Sequence, residues 1–170
     1  TQTLSADAPL SSGRRGAVTA GALAAVALAG LCTWLGWQAY ESREHQHERD
    51  VYLQAARQAA LNLTTIDYRN ADADVRRVLD STTGAFHDDF SQRSQPFIDT
   101  VKQAQSTSVG SISAAGLESV SDHEAQALVA VLVKSSLGGV EQSQPRAWRM
   151  RVDVQHVGNE VKVTNVEFVA

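Results

Sequence analysis

Apolar residues recur along this chain with two different periods, which predict helices in the first part and strands in the second. One segment is apolar throughout, because residues 17–37 carry no charged side chain. A helix of about 20 residues spans roughly 30 Å, the thickness of the hydrocarbon core of a bilayer. We therefore predict a cytoplasmic tail over residues 1–16 and a single transmembrane helix over residues 17–38.

The flanks of the apolar segment predict its orientation. Arg14 and Arg15 precede it, and Trp34, Trp37 and Tyr40 gather at its other end, as aromatic residues do at a membrane interface. Because positive charge stays on the cytoplasmic side, the N terminus is expected inside the plasma membrane. The C-terminal part is then expected outside, in the extracytoplasmic or periplasmic space.

Two alternatives to a retained anchor are cleavage as a signal peptide and lipid attachment at Cys32. A signal peptide usually has an apolar core of about 7–15 residues, which is shorter than this segment. Lipid attachment needs a small residue before the cysteine, whereas Leu31 stands there. Small residues on one face of the segment suggest a surface for packing against other membrane helices. They are Gly21, Ala25, Ala29 and Gly36. An alanine-rich segment shows such spacing by chance about as readily.

Helical periodicity continues beyond the anchor to about residue 107. Residues 39–63 are predicted to continue the membrane helix as an amphipathic one, because apolar residues recur there at helical spacing. A second helix is expected after Asn70, and Ser81–Gly84 should break it. A third begins there with Phe86 and Phe90 on one side, followed by a separate helical piece over residues 92–107 with Pro96 near its start.

From Val109 onward the spacing of apolar residues changes to the period of two that is typical of strands. Four strands are predicted, over residues 109–120, 124–137, 146–157 and 160–170. Gly158-Asn159 predicts a tight hairpin turn, and a change of phase between Val163 and Val166 suggests a bulge or burial on both faces. Helices followed by strands predict an α+β domain over residues 64–170, with the helices packed on a curved four-stranded antiparallel sheet.

Composition narrows the function classes only a little. The net charge is −4 and the basic residues are scattered, so nucleic-acid binding has little support. Cys32 is the only cysteine, which excludes an internal disulfide and a paired-cysteine zinc site.

The aspartate-rich run of residues 66–90 is the best place to look for chemistry. Its aspartates fall at helix caps and on solvent-facing positions, so the apolar spacing explains them without a catalytic site. Asp67 and Tyr68 are a candidate pair for proton transfer in an apolar pocket, although local capping explains this pair more simply. His45 and His47 lie on different faces of a helix and so cannot share a metal ion there, and His87 lacks a third metal ligand at recognisable spacing. We predict no catalytic residue, no metal site and no cofactor.

The order of these elements, and one motif within them, resemble the Mce-associated membrane proteins of mycobacteria and related actinobacteria. In that family the helix before the strands commonly carries a Leu-Thr-x-x-Asp-Tyr motif, then Asp-x-x-x-Val-Leu, then Thr-Gly-x-Phe. The chain matches this pattern over residues 63–86, at Leu63, Thr64, Asp67, Tyr68, Asp74, Val78, Leu79, Thr83, Gly84 and Phe86.

The resemblance implies a fold, a partner and a role. The outer domain would have the fold of nuclear transport factor 2 (NTF2) and of VirB8-type secretion subunits. The protein would be a non-enzymatic accessory subunit that stabilises or regulates an Mce lipid-import complex, with Mce subunits and their permease as partners. Family knowledge supplies no catalytic residues, and the motif positions Asp67, Tyr68, Thr83, Gly84 and Phe86 are expected to determine the fold.

Two other functions stay open from the sequence. The first is a lipid-binding module of the cell envelope, in which a pocket holds an acyl chain against the sheet. The second is the assembly platform of a secretion system, which has the same order of elements. The residues expected around an apolar pocket are Phe86, Phe90, Trp148, Met150 and Phe168, and filling of the core by these side chains is the simpler interpretation.

Overall fold

The structure is a computed structural model that describes residues 30–34, 37, 46–142 and 144–169. The chain divides between Gln46 and His47, and the fold below belongs to the unit that starts at His47. In the preceding unit, residues 30–34 and 37 are helical, with the side chains of Leu31, Trp34 and Trp37 exposed.

The predicted membrane helix lies mostly outside the described residues. So do the orienting residues Arg14 and Arg15 and the packing residues Gly21, Ala25, Ala29 and Gly36. Among the residues that the structure describes, no helix is both long enough and apolar enough to cross a membrane.

Helix α1 covers residues 46–64, where a continuous helix was expected to end at residue 63. Its apolar stripe is fully or almost fully buried against the sheet, at Tyr52, Ala56, Ala59 and Ala60. Three of these four residues are alanines, so the helix backbone can approach the strands closely. The amphipathic pattern of the sequence is therefore confirmed over this helix.

Two further helices follow a short strand. Strand β1 is Ile66–Asp67, helix α2 is Ala71–Asp80 and helix α3 is Gly84–Gln103. The prediction of two separate helical pieces between residues 84 and 107 is wrong, because α3 continues through Pro96. Proline costs one backbone hydrogen bond within a helix. Burial of Ile98 and Val101 on the following turn favours continuation of the helix.

Within the described residues, the sheet contains four long strands and two short ones. The long strands are β2 (Ser106–Val120), β3 (Glu124–Leu137), β5 (Arg146–Val157) and β6 (Glu160–Val169). The alternation predicted all four, although β2 begins three residues earlier than expected, at residues that were assigned to a helix. The expectation of four strands omits β1 and β4 (Val140–Glu141), two-residue strands that are too short to show any period. All pairings are antiparallel, in the order β1-β2-β3-β5-β6, with β4 beside the end of β3.

Irregularities curl this sheet. Strand β2 shifts register against β3 on either side of Gly116, between Ile112 and Ala114 and between Leu117 and Ser119. A third shift places Thr164 as an extra residue in β6, which confirms the predicted change of phase. Bulges bend a strand and increase its twist.

The core lies between α1 and the face of the sheet that α1 covers. Alternate residues of β3 from Ala125 to Val133 point into it and are buried. Met150, Val152 and Val154 of β5 are at most 1% exposed and pack beside them. A second, smaller core joins α2 and α3 to β1 through Ile66, Ala71, Val75, Ile98 and Val101.

Candidate functional site

The aspartate-rich run forms a hydrogen-bonded corner between β1 and α2. Asp67 accepts hydrogen bonds from the Arg69 side chain and, at 2.9 Å, from the Arg69 backbone N–H. These interactions lower the pKa of Asp67 to about 2. A carboxylate with so low a pKa is a weak base at neutral pH, which disfavours Asp67 as a general base.

Asp74 holds the same corner from within the protein. Its side chain is buried, and its Oδ2 accepts a hydrogen bond of 2.9 Å from the Asp67 backbone N–H. The other carboxylate oxygen pairs with Arg77. The sequence placed Asp74 only in the first turn of a helix, so this role was missed. A signal was present in the motif, since Asp74 is one of the positions that match the family pattern.

Tyr68 has different surroundings from Asp67. Its ring packs against the small core between α2 and α3, and the Arg69 guanidinium lies 5.7 Å from the ring centre. The two side chains of the Asp67-Tyr68 pair therefore have separate contacts. Neither residue lines the cavities of about 210, 330 and 540 Å³ that are described below.

The Thr83-Gly84 motif connects the helices to the edge of the sheet. The Thr83 backbone N–H donates to the Val163 carbonyl at 2.8 Å, and the Val163 N–H donates to the Ser81 carbonyl at 2.9 Å. Gly84 has φ +64°, which a residue without a side chain adopts readily, and begins α3 there. Phe86 stacks on Phe90 one turn later, with ring centres 6.2 Å apart.

A cavity of about 210 Å³ lies where α1 ends, between α3 and the curled sheet. Its apolar lining comes from α1, β1, α3, β3 and β5, and its polar lining is one threonine and three serines. The lining residues are Leu63, Thr64, Ile66, Phe97, Val101, Ser106, Ser108, Val133, Ser135 and Trp148.

Of the five residues expected around an apolar pocket, Trp148 lines this cavity. Phe168 packs edge-on against Trp148 with ring centres 5.1 Å apart, and Met150 is completely buried in the core. Phe86 and Phe90 continue along α3 to Phe97, which is the aromatic residue of α3 that reaches the cavity. Phe97 was not among the residues expected around the pocket, so sequence reasoning missed its place in the cavity wall.

Two larger depressions are lined mainly by polar residues. One of about 540 Å³ lies beside the β3–β4 hairpin and includes Lys134 and Glu141. The other, of about 330 Å³, lies beside the β2–β3 turn and includes Glu124 and Asp153. Asp153 there accepts hydrogen bonds from neighbouring amide side chains, so its polar groups have structural partners.

The histidines are dispersed. His87 lies 3.3 Å from Asp88 at the surface of α3, and His156 packs edge-on against the Tyr52 ring. Burial raises the pKa of Tyr52, whose hydroxyl has no hydrogen-bond partner among the residues that the structure describes. Residues 30–34, 37, 46–142 and 144–169 contain no group of three side chains able to hold a metal ion. His45 lies outside these ranges.

Strand β2 is the edge of the sheet along most of its length. Strand β1 pairs with β2 only at Thr107 and Ser108, and the Gly110 N–H donates to the Thr65 hydroxyl at 3.1 Å. From Ile112 to Val120, no strand among the described residues pairs with the outer side of β2. This segment contains Glu118 as its single charged residue, and Arg151 of β5 holds that carboxylate at 2.9 Å.

Comparison with known proteins provides a family and a fold. The model of the family described as "Uncharacterized protein Rv1363c/MT1408-like" matches residues 15–170. The Rv1363c protein of Mycobacterium tuberculosis is 37% identical over 140 residues, which is 82% of this chain and 54% of that protein. The chain thus spans about half the length of this relative.

Solved structures share the fold at low sequence identity. An IcmL-like type IV secretion system protein from Legionella pneumophila is similar over 69% of this chain and 88% of its own, with a TM-score of 0.58 and 14% identity. The periplasmic domain of DotI is similar over 69% of this chain and 91% of its own, with a TM-score of 0.56 and 14% identity. CagV, a VirB8 homologue of Helicobacter pylori, is similar over 65% of this chain and 90% of its own, with a TM-score of 0.51 and 9% identity.

These likenesses confirm the domain part of the predicted fold class, an α+β domain with a curled antiparallel sheet similar to that of VirB8-like domains. The family match extends from before the predicted anchor to the last residue of the chain. The chain therefore belongs to the Rv1363c/MT1408-like family.

Proposed function

We propose that this chain is a non-enzymatic accessory subunit of a complex in the cell envelope, which its outer domain helps to assemble or stabilise. Its N-terminal apolar segment would hold it in the membrane. In the finer form of the proposal the complex is an Mce lipid importer, on the basis of the motif around Asp67 and Gly84. An assembly platform of a secretion system is the second form, because the IcmL-like protein and CagV, which have a similar fold, are described as type IV secretion system proteins.

The unpaired edge of β2 is the observation that carries this proposal. A strand edge offers a row of backbone N–H and C=O groups to which an extended segment of a partner can add. Natural proteins usually block such edges with lysine, proline or a covering element, or disrupt them with bulges. This edge has bulges at Ser113 and Glu118, but between them Ala114–Leu117 pairs regularly with β3, and the whole segment from Ile112 to Val120 contains no lysine or proline.

The chemistry of the corner at Asp67 supports a binding role. The Asp67 carboxylate is hydrogen-bonded to Arg69. The Asp74 carboxylate accepts a hydrogen bond from the Asp67 backbone and forms an ion pair with Arg77. Charged groups with structural partners of this kind are poorly suited to exchange protons with a substrate. The same contacts make the helical corner rigid, which favours a stable platform for a partner.

Copurification from native membranes tests the proposal. The full chain with a C-terminal tag is solubilised in mild detergent, and the proteins that remain bound are identified by mass spectrometry. We expect Mce subunits or their permease, and we expect Ala114→Lys to remove them because a lysine on an edge strand opposes strand addition.

A matched control is Ala147→Lys on β5. Ala147 is also exposed, but β3 separates its strand from β2, so a lysine there does not face a segment that adds to the β2 edge. This variant should retain the partners. Recovery of secretion-system subunits would contradict the proposal of an Mce importer and support that of an assembly platform. A chain that copurifies with no envelope subunit would contradict both forms.

A further inference from the structure

The cavity at the end of α1 has a composition that specifies the chemistry of a ligand. None of the ten side chains that line it is ionisable. A charge placed there would lose its hydration without gaining a partner, which costs several kcal/mol in a protein interior. The part of a ligand that enters this cavity is therefore uncharged.

Hydroxyl groups line one wall of the cavity. Ser108 and Ser135 are direct cross-strand partners, and Ser106 lies two residues earlier on the same face of β2. Within the described part of the chain, none of these three hydroxyls has a hydrogen-bond partner, and none is fully exposed. Thr64 differs, because its hydroxyl donates to the Ala60 carbonyl at 2.6 Å. The three serines are thus free to bond a ligand.

The opposite walls are apolar and partly open. Ile66, Val101 and Val133 are buried, whereas Phe97 and Trp148 are each 39% exposed. Phe168 extends the aromatic surface outward from Trp148 and is 60% exposed. Half-exposed aromatic rings beside a cavity are typical of binding sites, since they bury more apolar surface when a ligand is present.

The size of the cavity limits how much of a ligand it holds. Its volume of about 210 Å³ is below the ~300–1,000 Å³ of sites that enclose a whole drug-sized molecule. At ~30 Å³ for each water, it corresponds to about seven water molecules. One end of an apolar molecule fits inside, and the remainder would lie along Trp148 and Phe168.

We propose that this cavity binds the end of an uncharged lipid that carries a hydroxyl or carbonyl group. The serine wall formed by Ser106, Ser108 and Ser135 bonds the oxygen, and Phe97 and Trp148 contact the apolar chain. This site is separate from the β2 edge beyond Ile112. Failure of one proposal therefore leaves the other standing.

Trp148 reports on the site by fluorescence. The chain contains three tryptophans, so the substitutions Trp34→Phe and Trp37→Phe leave Trp148 as the only emitter. The full chain with these two changes is placed in phosphatidylcholine nanodiscs and titrated at pH 8 with 1-octanol, octanoate or octane. We expect 1-octanol to shift the Trp148 emission to shorter wavelength with saturation, and octanoate and octane to bind at least about tenfold more weakly.

Two variants separate binding in the cavity from partition into the membrane. Ser108→Leu fills the cavity and should abolish the saturable shift. Ser111→Leu, on the same strand but at an exposed position, should retain it. Far-UV circular dichroism checks folding, and Ser135→Val replaces Ser108→Leu in the comparison if the latter unfolds.

Several results would overturn the proposal. A shift that rises linearly with octanol, or that survives both Ser108→Leu and Ser135→Val, shows partition without a site. Equal binding of octanoate removes the requirement for an uncharged ligand. Equal binding of octane removes the role of the serine wall.

Discussion

The side of the sheet that faces the helices is closed at one end and open at the other, although the same strands form both ends. Met150 and Phe168 are cross-strand partners on this face, yet Met150 is 0% exposed and Phe168 is 60% exposed. On β5 itself, Trp148 lies two residues before Met150 and is 39% exposed. The alternation of a strand thus determines which face a side chain occupies, while the covering helix determines whether it is buried.

The end of α1 marks the boundary between the two regions. Its alanines pack closely on the closed region, and its last helical residue, Thr64, borders both Gly110 of β2 and the cavity. Beyond Thr64 the cover consists of α3, whose Phe97 contributes one wall of the cavity. The closed region therefore stabilises the domain, and the open region leaves apolar surface available for binding.

The largest predicted effect compares the two cross-strand partners. Met150→Ala should reduce the free energy of unfolding by about 2–5 kcal/mol, because it leaves a void in a close-packed core. Phe168→Ala should cost about 1 kcal/mol or less, mainly the edge-on contact with Trp148. Urea unfolding followed by circular dichroism measures both, and equal losses would show that the two ends are packed alike.

The next largest effect is expected at the boundary between the closed and open regions, where Gly110 of β2 lies against Thr64. A Cβ added to Gly110 would lie 2.9 Å from the Thr64 Cβ and 3.2 Å from a Val131 methyl carbon. We expect Gly110→Ala to destabilise the domain by about 1–3 kcal/mol, because the contact forces β2 away from the end of α1.

Gly116→Ala is the control for the same strand. Apart from its chain neighbours, no atom of the described residues lies within 4 Å of the added Cβ, so this change should be neutral or stabilise the domain by up to about 1 kcal/mol. Thermal unfolding of the two variants side by side gives the comparison. Similar melting temperatures would mean that the approach of β2 to α1 is not tight.

The smallest effect is a pH dependence at the corner beside the open end. The pKa of Asp67 is lowered to about 2 in the folded protein, chiefly by the hydrogen bond from the Arg69 side chain, against about 3.9 in an unfolded chain. The stabilising contribution is thus fully present above about pH 4, and it is lost as the pH falls towards 2.

Melting temperatures of the wild type and Arg69→Gln, measured from pH 7 to pH 2, test this dependence. The wild type should melt slightly higher at neutral pH, and the difference should vanish near pH 2. Arg93→Gln controls for the loss of a surface arginine, since its pair with Asp89 is solvent-exposed. A difference between wild type and Arg69→Gln that grows on acidification would contradict the role of the Asp67–Arg69 pair.

The long elements of the fold could be predicted from the sequence because each repeats a period many times. Strand β5 alternates over 12 residues, and its boundaries were predicted without error. Strands β1 and β4 have two residues each, too few for a pattern. Pro96 was given too much weight, because the local cost of proline is offset by burial of Ile98 and Val101 that only the packed structure shows.

The candidate sites were harder to predict, since both depend on residues distant in the sequence. The serine wall unites Ser106 and Ser135 from two strands, and no motif connects them with Phe97 or Trp148. Which edge of the sheet is free depends on strand order, which alternation does not reveal. A hint lay in Ser106-Thr107-Ser108, where polar residues occupy positions at the start of a strand whose neighbours are apolar.

Photo-crosslinking in living cells tests most directly the claim that this domain is a docking subunit. A photoreactive phenylalanine analogue is introduced at Ser113 on the β2 edge or at Ala147 on β5, which β3 separates from β2, and the membranes are analysed after irradiation. We predict a discrete adduct from position 113 with a subunit of the complex identified by copurification, and none from position 147. Absence of an adduct at 113, or the same adducts from both positions, would contradict the proposed docking edge.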